Sequence, residues 1–95
     1  MDTSEVVNIL RGIKPYMQKE YAVKKMGLFG SFSDGTYTDI SDVDIMVEFE
    51  CPVGWQFFRL EKYLETTLQR KVDLVTYGAL KEQIKPIILS QIQYI

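Results

Sequence analysis

The stretch GLFGSFSDGTYTDISDVDIMVEF, residues 27 to 49, decides how the rest of the chain is read. An apolar run ends at Gly30-Ser31, a polar loop follows, and Asp42-x-Asp44 leads into a second apolar run. Val43, Ile45 and Val47 alternate with Asp44, Met46 and Glu48, the period of a strand with one buried face. Upstream, Val23 to Phe29 reads as another strand closed by Gly30, and Ser31 begins at most one helical turn. Side chains two apart on a strand point the same way, so Asp42 and Asp44 share a face where the second strand begins.

Nearer the N-terminus, Thr3-Ser4 followed by Glu5 marks a helix start, and Val6, Ile9, Leu10, Ile13 and Met17 recur at helical steps. Pro15 predicts a kink or restart within that helix, because proline removes a backbone donor. Beyond the quoted stretch, Pro52 stops the second strand. Val53, Phe57, Leu60, Leu64 and Leu68 then form the apolar stripe of a second long helix ending near Arg70. KVDLVTY, residues 71 to 77, reads as a short third strand. Ala79 to Gln91 reads as helix interrupted at Pro86, with IQYI adding a last extended segment. This order predicts an α/β (α+β) fold, a small mixed β-sheet covered by helices on one face. Residues 1–95 are expected to form a single domain, with no repeat or linker. Trp55, Phe58 and Tyr63 lie off the stripes and either face a partner or finish a small core.

Composition narrows the chemistry. A net charge of -2 argues against a broad electrostatic grip on nucleic acid or an anionic membrane. The chain has no histidine, which removes imidazole as base, metal ligand and pH switch. Its single cysteine, Cys51, excludes an internal disulfide and reads as a reduced thiol in a cytoplasmic protein. The opening MDTSEVVNILRGIK lacks the apolar run of a signal peptide, and no stretch approaches membrane-spanning length. Metal chemistry would therefore have to use carboxylates, which favour hard ions such as magnesium.

Asp73 sits between Val72 and Leu74, where a charge is out of place on an apolar strip. If the third strand neighbours the second, Asp73 joins Asp42 and Asp44 on one face. Three such carboxylates raise one another's pKa and oppose folding unless a cation neutralises them. Two Mg²⁺ ions roughly 3.5–4 Å apart can do so while activating an attacking oxygen and steadying a departing phosphate. The other half is the Gly30-Ser31 turn. Its backbone N–H groups and hydroxyl suit phosphate oxygens, and a glycine lets the chain approach them closely. The loop would hold a triphosphate while the aspartates hold its metal ions.

On these residues, GSFSDG, SDVDIMVEF and KVDLV, the chain resembles the nucleotidyltransferase superfamily of DNA polymerase β in its minimal form. The resemblance implies a nucleoside triphosphate, expected to be ATP, with two Mg²⁺ ions and transfer of a nucleotidyl group. It implies that Gly30 and Ser31 bind phosphate, that Asp42 and Asp44 hold both metals, and that Asp73 shares one and helps deprotonate the acceptor. It also implies a helical HEPN-type toxin as partner, with this chain as antitoxin adding AMP to it. Direct nucleic acid binding is not expected, and homo-oligomerisation stays open. Family members often carry Ala-Arg where this chain has Ser33-Asp34. An inward Asp34 would repel phosphate, and Lys24, Lys25, Arg59 or Arg70 could supply the missing positive charge. Two rivals remain: a binding module that neutralises its partner by occlusion, and a nucleotidyltransferase acting on a small, antibiotic-like molecule.

Overall fold

The computed structural model describes residues 1–95 throughout. Helix α1 (Thr3–Tyr21) is followed by strand β1 (Val23–Phe29), a single turn α2 (Ser31–Asp34) and strand β2 (Val43–Phe49). Helix α3 (Gln56–Leu68), strand β3 (Val72–Thr76) and a 3₁₀ turn (Tyr77–Ala79) come next. Helix α4 (Lys85–Gln91) and the two-residue strand β4 (Gln93–Tyr94) end the chain. The fold is mixed α+β, as the sequence implied.

The sheet has four strands in the order β3-β2-β1-β4. β1 and β2 are antiparallel, β2 and β3 are parallel, and β4 runs antiparallel to β1. A parallel pair needs a crossover, and α3 supplies it between β2 and β3. One face of the sheet carries Val23, Met26, Leu28, Val43, Ile45, Val47, Val72 and Leu74 into the core. Val6, Val7, Leu10 and Met17 of α1 and Leu60, Leu64 and Leu68 of α3 close over that face. Burying these side chains removes their apolar surface from water, at about 1.5–3 kcal/mol for each large aliphatic group.

Several local features differ from the sequence reading for identifiable reasons. α1 is capped by Asp2, whose carboxylate accepts the Glu5 N–H at 2.8 Å, and it runs unbroken through Pro15. Pro15 is exposed, and a long apolar stripe packed on the sheet outweighs one missing hydrogen bond. Val53 lies outside α3, which starts three residues later. Pro86 stands in the first turn of α4, where a missing donor costs nothing, so it opens the helix instead of interrupting it. The IQYI segment does become extended, as β4. Of the off-stripe aromatics, Tyr63 packs against the core and stacks on Tyr21, whereas Trp55 is 81% and Phe58 58% exposed.

Candidate functional site

Asp42, Asp44, Asp73 and the Gly30-Ser31 turn gather at one end of the sheet. In the parallel β2–β3 ladder Asp44 is the direct partner of Asp73, so the two carboxylates leave the sheet side by side. They project from the face opposite the α1–α3 core, because Val43, Ile45, Val72 and Leu74 occupy the alternate positions. Asp42 stands just ahead of β2. Asp44 is half-buried, and Asp42 and Asp73 are exposed.

The electrostatics follow from this placement. Burial raises the Asp44 pKa first, and the neighbouring charges of Asp73 and Asp42 raise it further, to about 6. No cation offsets this charge, since the ion pairs of the structure join Lys24 to Glu48 and Lys85 to Glu82.

β1 delivers the other half of the site. Its last residue, Phe29, is the register partner of Asp44 across the antiparallel ladder, so the next residue, Gly30, turns directly beside that carboxylate. Gly30 adopts φ 71° and ψ −150°, a conformation open essentially to glycine alone. A Cβ there would collide with the Asp44 carboxylate oxygen. Glycine is therefore required twice at this position, by backbone geometry and by proximity.

The carbonyl of Gly30 accepts N–H groups of Ser33 (3.0 Å) and Asp34 (3.2 Å), closing the single turn of α2. The earlier N–H groups, of Ser31 and Phe32, have no acceptor within that turn. Ser31 is half-buried beside them. Phe32 is fully buried and anchors the turn in the core, and its carbonyl accepts a 2.6 Å hydrogen bond from the Thr3 hydroxyl.

Asp34 is engaged within its own loop. It is exposed, and its carboxylate accepts hydrogen bonds from the Thr36 hydroxyl (2.6 Å) and N–H (3.0 Å). Those bonds, the hydroxyl's foremost, hold its pKa below the ordinary value. The cations proposed to replace a loop arginine divide by location. Lys24 and Lys25 lie at the opposite end of β1, Lys25 opposite Glu48, about 13 Å along the strand from the Asp44 level. Arg59 sits in the first turns of α3, also at that end. Arg70 alone is near the aspartates. Sequence gave no sign of how it is engaged: its Nη1 donates to the carbonyls of Asp39 (3.2 Å) and Ser41 (3.1 Å).

As they stand, these side chains form no ready group of three metal ligands. The donor chemistry nevertheless suits a hard divalent cation. Asp44 and Asp73 adjoin in register, Asp42 acts electrostatically on Asp44, and the exposed Asp42 and Asp73 can rotate toward one ion.

Comparison with known proteins agrees with the architecture. Residues 10–95 match the model of the nucleotidyltransferase domain, and the chain belongs to that family. It is 38% identical over 92 residues to the protein adenylyltransferase MntA of Thermococcus cleftensis, covering 96% of this chain and 93% of the relative. It is 46% identical over 78 residues to MJ1215 of Methanocaldococcus jannaschii, a candidate protein adenylyltransferase, covering 81% and 91% of the two chains. A solved minimal nucleotidyltransferase superposes with a TM-score of 0.84 at 23% identity, covering 98% of this chain and 95% of the other. A toxin–antitoxin structure with AMP-PNP superposes at 0.70 with 24% identity, covering 99% and 72%. These two likenesses establish the fold, and the family match makes the chain a nucleotidyltransferase.

Proposed function

We propose that the chain is a Mg²⁺-dependent protein adenylyltransferase that moves AMP from ATP to a helical HEPN-type toxin and acts as its antitoxin. The observation that carries this reading is the convergence of Asp44, Asp73 and the Gly30 turn at one end of the sheet. The name of the Thermococcus cleftensis relative supports protein as the acceptor.

In this reading Asp42 and Asp44 would hold both metal ions and Asp73 would share one. Bound there, Mg²⁺ would supply charge neutralisation for the triphosphate and for the acceptor oxygen. The unpartnered N–H groups of Ser31 and Phe32, with the Ser31 hydroxyl, hold phosphate oxygens. Asp73, at the exposed strand edge, takes the proton of the acceptor hydroxyl. The acceptor oxygen attacks the α-phosphorus, the bond to the bridging oxygen breaks, and pyrophosphate leaves. Asp34 does not oppose this, because its carboxylate is turned onto Thr36.

The test is intact-mass spectrometry of the partner toxin after incubation with this chain, ATP and Mg²⁺. Whole AMP increments that disappear with Asp42→Asn are expected. Neutralisation of the toxin without any mass gain would replace the enzyme with an occluding module.

A further inference from the structure

Arg70, at the head of β3, touches both of the other segments that meet at the aspartate end, the loop before Asp42 and the Ser31 turn. It follows Gln69, which ends α3 in a left-handed conformation (φ 52°) and sends the chain sharply into β3. From there Nη1 reaches back to the carbonyls of Asp39 and Ser41, at 3.2 and 3.1 Å, in the loop that immediately precedes Asp42. Its guanidinium carbon also lies 5.1 Å from the centroid of Phe32, the buried anchor of the Ser31 turn. Phe32 in turn stacks on Tyr37 of the same loop, 4.6 Å between centroids and 5° from parallel. One further hydrogen bond joins the strands here, from the Val43 N–H to the Lys71 carbonyl at 2.9 Å.

The loop from 35 to 42 has few other restraints. Its remaining hydrogen bonds are local ones, between Asp34 and Thr36 and between Thr38 and Ser41. Asp42 is exposed and no salt bridge holds it. Its C-terminal neighbour Val43 is buried in the sheet and bonded to Lys71, so the remaining freedom of Asp42 relative to Asp44 and Asp73 is set by where the Asp39–Ser41 backbone is fixed.

We propose that Arg70 is a positioning residue: it clamps the Asp39–Ser41 backbone onto the head of β3 and so sets Asp42 in place for the metal–nucleotide. The inference rests on the proposed function for what Asp42 does, and it assigns Arg70 no contact with phosphate. A planar guanidinium suits the task, since it donates to two carbonyls while lying on an aromatic ring, which a lysine ammonium does not reproduce.

Arg70→Ala and Arg70→Lys separate clamping from mere charge. Amide hydrogen exchange of the ligand-free chain is followed at residues 38–43, with the amides of α1 and β1 as the control for intact folding. Calorimetric titration then measures binding of a non-hydrolysable ATP analogue in Mg²⁺. A clamp predicts at least tenfold faster exchange at 38–43 in both variants, unchanged protection in α1 and β1, and analogue binding weakened about tenfold in both. Arg70→Lys behaving as wild type would show that only charge matters and overturn the proposal. Unaltered loop protection in Arg70→Ala, or loss of protection spread equally over α1 and β1, would overturn it too. A wild-type chain that binds no analogue would instead refute the proposed function, and with it any role of Arg70 toward the nucleotide; the exchange data, taken without ligand, tell the two failures apart.

Discussion

Gly30 and Asp44 form the closest coupling in the candidate site, because the space a Gly30 side chain would need is filled by the Asp44 carboxylate. Gly30→Ala is expected to cost about 1–3 kcal/mol through backbone strain alone. It should also displace Asp44, so label transfer from ATP should fall in the folded fraction as well as in the whole sample. Asp44 itself is a destabilised group. Its folded-state pKa of about 6 lies above the ordinary 3.8, so in the ligand-free chain the folded state keeps a proton that the unfolded chain releases between those values. The contribution of Asp44 to stability is thus unfavourable above pH 6 and relaxes as pH falls through this window. Asp44→Asn should stabilise the ligand-free chain at pH 7.5, by about 1 kcal/mol after allowance for solvent screening. For a chain of this length that is a Tm increase of roughly 4–8 °C. The same substitution should abolish nucleotidyl transfer. Thermal melts from pH 4.5 to 8 check the sign: the gain should shrink toward low pH, and a variant less stable than wild type at pH 7.5 contradicts the account.

At the scale of elements, β1–α2–β2 behaves as one unit pinned by Phe32. Phe32→Ala removes a fully buried ring that Tyr37 and Arg70 both contact, and should cost about 3–5 kcal/mol in denaturant unfolding. A loss below 1 kcal/mol would show that α2 is not anchored there. This unit was also the most legible in sequence. Val43, Ile45 and Val47 state their alternation plainly, and Gly30 marks the turn by the only residue type its backbone tolerates. β3 was readable as a strand, but not its neighbour: parallel pairing of Asp44 with Asp73 is a long-range choice made by the α3 crossover, which no local pattern encodes. Prolines misled in both helices they occupy. Their effect depends on position within the helix and on the packing around it, as at Pro15 and Pro86. The work of Arg70 was hidden for a similar reason, since a charge in the sequence does not reveal which distant carbonyls it meets.

Over the whole molecule, the two ends of the sheet differ in character. The aspartates, the Gly30 turn and Arg70 occupy one end; Lys24, Lys25, Trp55 and Arg59 lie toward the other. Trp55 and Phe58 remain exposed there, together with Tyr16 at 48%. No helix is long and apolar enough to cross a membrane. Whether the aspartate end binds a metal–triphosphate is decided by crystals grown with Mn²⁺ and a non-hydrolysable ATP analogue, read through anomalous scattering. Manganese peaks bounded by Asp42, Asp44 and Asp73 are expected, with the triphosphate lying along Gly30 and Ser31. Manganese and nucleotide located away from these residues would contradict binding at this end.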